Sequence, residues 1–411
     1  MLDPAAPRHD PYQSLRYPEY RWFLFGNLAA VMGTQVQSAV LGWQVYALTR
    51  DPLAIAFVGL SEALPFLGLT LYGGTVADHR ERRGICMASQ AVLVACALWL
   101  FLANLHGPVK QVWVLYAVQV LGGLARAFFR PAYQALATEL VPREAYANAS
   151  TWRSGMFHIG MVAGPALGGL LIPFGYQVAY GVELLLMLGG LAYLPLLKAR
   201  PLPPAPEGQG VLSRLMEGVR FVFHQKVVLS ALSLDLFAVL FGGAPALLPI
   251  FAKDILGVGE WGYGLMRAAP AVGSIAMSLI LAHRPAGRRA GRKLLWCVAG
   301  FGLCWIAFAL SRSFPISLVL LVASGALDNV SVVMRATLIQ VFTPPELMGR
   351  VSAVNSFFIG SSNELGAFES GLAARLLQVV PSVVFGGCMT LVTVGLTAWR
   401  APELRRLDKV H

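Results

Sequence analysis

Apolar residues run along this chain in stretches of roughly 20 or more, the length that crosses a bilayer's hydrocarbon core. Short polar stretches separate them. Runs bounded by charge, proline or glycine fall near 21–48, 53–77, 84–105, 110–138, 146–172 and 175–197. A second series falls near 227–252, 262–283, 293–311, 315–342, 350–374 and 378–399. The pattern predicts an all-α integral membrane protein with twelve transmembrane helices. Residues 1–197 and 227–411 would each form a six-helix bundle, joined by a cytoplasmic linker at 198–226.

The linker opens with Pro201, Pro203, Pro204 and Pro206, which cannot continue a helix. Leu212, Leu215, Met216, Val219 and Phe223 then recur at helical spacing, with Arg214, Glu217 and Arg220 on the other side. This predicts a helix lying in the membrane interface or, equally, an ordinary solvated linker helix.

Composition agrees with a lipid-embedded chain. Of 411 residues, 56% are hydrophobic and only 13% charged, too little charge to cover a soluble protein this long. The net charge of +11 raises the prospect of a nucleic-acid partner. The cations lie in short connections rather than along one helix or face, so no nucleic-acid partner is expected. They read as topology signals. Arg80, Arg82, Arg83, Arg143, Lys198, Arg200, Arg288, Arg289, Arg292, Lys293 and Arg350 fall on one set of connections. Arg50, Lys110, Lys253, Arg312 and Arg375 fall on the other. The excess marks the cytoplasmic side, so both termini are expected there, in a cytoplasmic (inner) membrane. Residues 1–20 carry prolines and acids and no cleavable signal, and the run from Trp22 should remain as the first span. Cys86, Cys96, Cys297, Cys304 and Cys388 form no CxxC pair and sit inside apolar runs. Neither disulfides nor a metal site is expected, and no cofactor.

The two series of spans resemble each other. Pro142-Arg143-Glu144 precedes span 5, and Pro344-Pro345-Glu346 precedes span 11. At that same offset Ser150 matches Ser352, Ser154 matches Ser356, Gly164 matches Gly366, Gly169 matches Gly371 and Leu170 matches Leu372. Several matches at one offset predict duplicated units.

Ionisable groups inside spans cost roughly 2.5–3.5 kcal/mol each near a helix centre, so they mark partners, water or function. They are Glu62, Arg126, Arg130, Arg153, His158, Glu183, Asp235, Asp328, Arg335, Glu364 and Glu369. Arg126 and Arg130 share a face of span 4, and Asp328 and Arg335 share a face of span 10. Asn363 and Glu364 add polar groups to span 11, where Glu364 and Glu369 point well apart. Glu62, Arg126, Arg130, Asp235, Asp328, Arg335, Asn363 and Glu364 are the proton-coupling and substrate candidates. For any one carboxylate, a simple structural pairing with arginine is at least as good an account. In span 5, Gly160, Gly164, Pro165, Gly168 and Gly169 form a packing motif: glycines four apart admit a neighbouring helix, and proline permits bending.

At 74–83 the chain reads Gly-Thr-Val-Ala-Asp-His-Arg-Glu-Arg-Arg, between spans 2 and 3. This resembles the loop signature of the major facilitator superfamily, Gly-x-Leu-Ala-Asp-Arg-x-Gly-Arg-Arg. Gly74, Val76, Ala77, Asp78, Arg82 and Arg83 fit it, and His79 and Glu81 depart from it. After span 8 the corresponding stretch keeps its cations but has Ala282 where Asp78 would fall. The span-5 run resembles the antiporter motif of the same superfamily, with Thr151 in place of an upstream glycine. The Pro-x-Glu segments, with Arg130-Pro131-Ala132, look like the branch holding siderophore and macrolide exporters.

The resemblance implies the major facilitator fold, with spans 1, 4, 7 and 10 around a central cavity. It also implies a conformational latch at Gly74, Asp78, Arg82 and Arg83, with Asp78 reaching the cytoplasmic end of span 11 and a span-4 cation. A loop salt bridge of Asp78 with Arg82 or Arg83 is the plainer alternative. The expected function is secondary active transport: proton-coupled efflux of a small-molecule substrate by a monomer, through alternating access. An importer or lipid transporter of the same fold is the alternative, and a non-transporting receptor or assembly factor a weaker one. No G-x-x-x-x-G-K-[ST] loop is present for ATP, and no catalytic signature points to an enzyme.

Overall fold

A computed structural model describes residues 10, 12–198, 211–242, 245–283, 290–344 and 347–405. The side chains of Asp78, Ala282 and Glu364 lie outside the described residues, as do the linker prolines, 284–289, Pro345 and Glu346. Among the described residues the chain is helical, with no strand. The first series is α1 (Pro18–Thr49), α2 (Pro52–His79), α3 (Arg82–Ala103), α4 (Val112–Glu139), α5 (Tyr146–Leu171) and α6 (Tyr176–Ala192). The linker holds α7 (Val211–His224). The second series begins with α8 (Lys226–Gly242), continued by the short α9 (Leu248–Ile250) and a π turn at Phe251–Ile255. Then come α10 (Gly259–His283), α11 (Ala290–Leu310), α12 (Phe314–Phe342), α13 (Met348–Leu377), α14 (Val379–Arg400) and α15 (Pro402–Arg405).

Among the described residues, ten helices are long and apolar enough to cross a membrane. The twelve spans predicted from sequence also include α1 and α13, which are not among the ten. At 32 and 30 residues both exceed the required length. They carry more polar groups, among them Gln37 and Gln44 on α1 and Ser362 and Ser370 on α13. These four are buried against protein rather than lipid.

Local sequence explains the boundaries. Arg50 ends α1 in the left-handed region at φ 52°, and the Asp51 carboxylate then accepts the Leu53 N–H at 3.0 Å, capping α2. Pro52 at the first helical position loses only an N–H that had no partner anyway. The stretch read from sequence as the loop 74–83 is mostly helix. α2 runs through His79 and α3 starts at Arg82, so the connection is only Arg80 and Glu81.

α7 packs against the second series. Val222 is fully buried with Val228, Leu232, Ile339, Val351 and Val354, and Glu217 pairs with Arg350 on α13. The helix docks on the second series, while Met216 and Phe223 remain exposed.

The apolar core is distributed unevenly. One cluster joins both series: Val36, Trp43 and Tyr46 of α1 pack in it with Phe251, Tyr263 and Phe308. It lies towards the end carrying the α1–α2 connection. At the other end the clusters are separate. Tyr20, Phe23, Leu136 and Tyr193 build one in the first series, and Ala231, Leu294, Met334 and Leu338 build another in the second.

Candidate functional site

Two seams join the series, α2 against α13 and α5 against α10. Glycine sets both. A β-carbon on Gly169 of α5 would lie 2.2 Å from the Gly264 α-carbon of α10. A β-carbon on Gly371 of α13 would lie 2.4 Å from that of Ala56 on α2. These are the matched positions of the sequence repeat, and each sits in the corresponding seam. The matched pair Gly164 and Gly366 behaves alike: Gly164 abuts Gln35 and Met32 of α1, and Gly366 abuts Val239 and Leu240 of α8. Gly160 and Gly168 also face α1, at Val31 and Ala39, while Pro165 lies within α5. The span-5 motif therefore packs α1 through three glycines and the opposite series through a fourth.

Cross-series hydrogen bonds and ion pairs between described side chains gather towards the α1–α2 connection. Asp254 accepts from Arg50 at 2.8 Å and from the Tyr46 hydroxyl. Arg375 of α13 pairs with Asp51 at 2.5 Å. Deeper, the Tyr263 hydroxyl donates to the Ala39 carbonyl at 3.1 Å, and Arg267 donates to Ser38 at 3.0 Å. Trp43 packs on Tyr263 with ring centres 5.3 Å apart and carries the Lys253 ammonium over its face. This end is closed. Nothing in the sequence pairs these residues, whose partners lie more than 200 positions away.

Inside the first series, Glu62 of α2 pairs with Arg126 of α4. Close helix approach makes this contact: a β-carbon on Gly123 would lie 2.3 Å from the Glu62 carbonyl oxygen. Gln119 donates to the second Glu62 oxygen at 3.1 Å, and Arg126 also reaches Gln37 at 3.5 Å. A second chain runs from the Tyr180 hydroxyl to Gln44 and on to Asn104, both links 2.7 Å. Arg130, on the face it was expected to share with Arg126, is exposed and lies 4.9 Å over the Phe66 ring.

In the second series Arg335 of α12 pairs with Asp235 of α8, both buried. The sequence placed them as separate cavity candidates; the structure makes them one neutral unit. Asp328, two turns from Arg335, takes no part in that pair. Asn363 is exposed and donates to the Ile359 carbonyl of its own helix at 2.9 Å.

The cations of the 74–83 motif brace the first series. Arg82 pairs with Glu139 at the end of α4, and Arg83 donates to the Pro195 carbonyl at 3.2 Å. Gly74 faces open space. Among the described residues no cluster of His, Cys, Asp and Glu could hold a metal ion.

Known proteins resemble this chain. The chain is 26% identical over 404 residues to the multidrug efflux pump Tap of Mycolicibacterium fortuitum, spanning 94% of this chain and 96% of that one. It is 24% identical to the enterobactin exporter EntS of Shigella boydii, spanning 95% and 93%. The fold matches the crystal structure of a POT family transporter in complex with 5-aminolevulinic acid, with a TM-score of 0.73, 12% identity and 94% and 96% coverage. The family model for transmembrane secretion effectors matches residues 9–410. A glycine-built pair of seams in an all-helical membrane chain, and a family match across that length, make one conclusion: this protein belongs to the transmembrane secretion effectors of the major facilitator superfamily.

Proposed function

We propose that the protein exports small organic molecules across the cytoplasmic membrane in exchange for protons. Two units, 1–197 and 227–411, rock about a midplane cavity, with both termini and the 198–226 linker cytoplasmic. The observation that carries this reading is the one-sided closure. Asp254, Arg375 and the Gly169–Gly264 contact seal the end away from the cation-rich connections. Excess cation marks the cytoplasmic side, so the cavity faces the cytoplasm, ready to load cargo. The relatives named as a multidrug pump and a siderophore exporter support the outward direction. Glu62–Arg126 and Asp235–Arg335 supply carboxylates whose proton occupancy can follow the cycle. The reading needs no cofactor, no second subunit and no covalent chemistry.

Asp78 is the latch in this reading. It lies in the last turn of α2, on the cytoplasmic side where α13 begins, and a carboxylate is favoured at a helix N-terminus. Asp78→Asn should slow transport while substrate binding persists.

The test uses purified protein in vesicles with an imposed pH gradient and a panel of lipophilic cations and siderophores. Uphill movement of a compound, with a matching proton flux, is expected. Movement that ignores the pH gradient and carries no proton flux would sink the antiport reading.

A further inference from the structure

Glu183 sits near the middle of α6, which packs between α1 and α3. It is fully buried, and neither carboxylate oxygen has a hydrogen-bond partner. The Arg126 guanidinium on α4 acts on it electrostatically. That guanidinium is already paired with Glu62 and reaches Gln37. α1 brings no ionisable side chain between Arg21 and Tyr46, and α3 brings only Cys86 and Cys96 beyond Arg83. The neighbouring donors are committed elsewhere. The Tyr180 hydroxyl donates to Gln44, the Cys96 thiol to the Val118 carbonyl, and the Gln90 amide to the Met187 carbonyl.

An ionised carboxylate buried without a partner costs several kcal/mol even after relaxation. One pH unit offsets only about 1.4 kcal/mol of that. A neutral acid carries no such cost, so Glu183 holds a proton in this conformation. Packing gives no reason for an acid here, because an apolar side chain of similar volume would fill the site as well.

We propose that Glu183 is a second proton-binding site, exchanging with Glu62 for the single Arg126 guanidinium. In the conformation described, Glu62 is ionised and paired while Glu183 is protonated. When Arg126 turns to Glu183, that acid gives up its proton, and Glu62, released, takes one. One proton leaves one carboxyl and one joins the other. The trio of two acids and one arginine stays at net charge zero, so no unpaired charge is ever left in the interior. The Glu62 side chain is 24% exposed, whereas Glu183 is sealed, so the two sites meet solvent differently. The exchange deepens the proton-antiport reading and rests on it for its role in transport. The proton on Glu183 rests on the structure alone.

The test has two arms. Infrared spectra of reconstituted protein at neutral pH should show the carbonyl stretch of a protonated carboxylic acid that disappears in Glu183→Gln. An unchanged band would mean Glu183 is ionised and would overturn the proposal. In vesicles, Glu183→Gln should lose pH-gradient-driven movement of a compound the wild type moves, while keeping equal-concentration exchange of that compound. Wild-type gradient-driven movement in Glu183→Gln would also overturn the exchange. Because glutamine copies a neutral acid, the variant should melt at the wild-type temperature. Its melting temperature is compared with that of Glu62→Gln, which breaks the pair with Arg126 and should destabilise. If the wild type itself ignores the pH gradient while the infrared band still disappears, the antiport reading fails and the Glu183 proton site stands.

Discussion

Gly169 of α5 and Gly264 of α10 touch backbone to backbone, with no room for a β-carbon on Gly169. The contact lies on the shut side of the molecule, towards the α1–α2 connection. Gly169→Val should therefore disfavour the closed conformation rather than unfold the protein. Overpacking costs about 1–3 kcal/mol, which corresponds to a population shift of roughly 5- to 150-fold. Spin labels on α5 and α10 near this contact should report longer distances. Gly155→Ala, at a position with open space around it, should leave them unchanged.

Asp254 and Arg375 hold the same end by charge. Their side chains are 37% and 53% exposed, so each pair contributes only up to about 1 kcal/mol. Asp254→Asn should open this end by a few-fold at low salt. The difference should vanish at high salt, where exposed charges are screened. A salt-independent effect would assign the closure to the Tyr46 contact instead.

Glu62, with its side chain 24% exposed, pairs with the buried Arg126. Glu62→Ala strands the guanidinium and should cost about 3–5 kcal/mol, read as a lower melting temperature in detergent. Replacing both residues by leucine should recover much of that loss. If the double variant is no more stable than Glu62→Ala, the pair is not what holds α2 to α4.

The chain through Tyr180, Gln44 and Asn104 joins α6, α1 and the end of α3. Tyr180→Phe leaves the Gln44 oxygen without its donor and should cost about 1–3 kcal/mol. Asn104→Ala should cost a similar amount, and the double variant less than the sum, because both act on one chain. Strict additivity in melting experiments would show the two links to be independent.

Hydropathy located the helices because bilayer length and apolarity are properties of a single segment. The runs read at 21–48 and 350–374 fall on α1 and α13, whose polar groups face protein and dilute their apolarity. Glycine spacing on α5 was legible, and Gly169 and Gly371, matched in the repeat, each sit in a seam. The pairing of Arg335 with Asp235, and of Arg50 with Asp254, was not legible. Charge type is visible in sequence, but which two charges meet depends on how distant helices cross. Glu183 was visible as one acid among several. Only its missing partners set it apart, and a missing partner has no sequence signature.

The uneven core carries a consequence for assembly. Each series owns a private apolar cluster at one end, and they share a single cluster only at the other. The protein is built like two subunits that happen to be tethered. Cut within the linker and expressed as two polypeptides, the pieces should each fold and then find one another through the Gly169 and Gly371 seams, restoring a working molecule without the peptide bond between them.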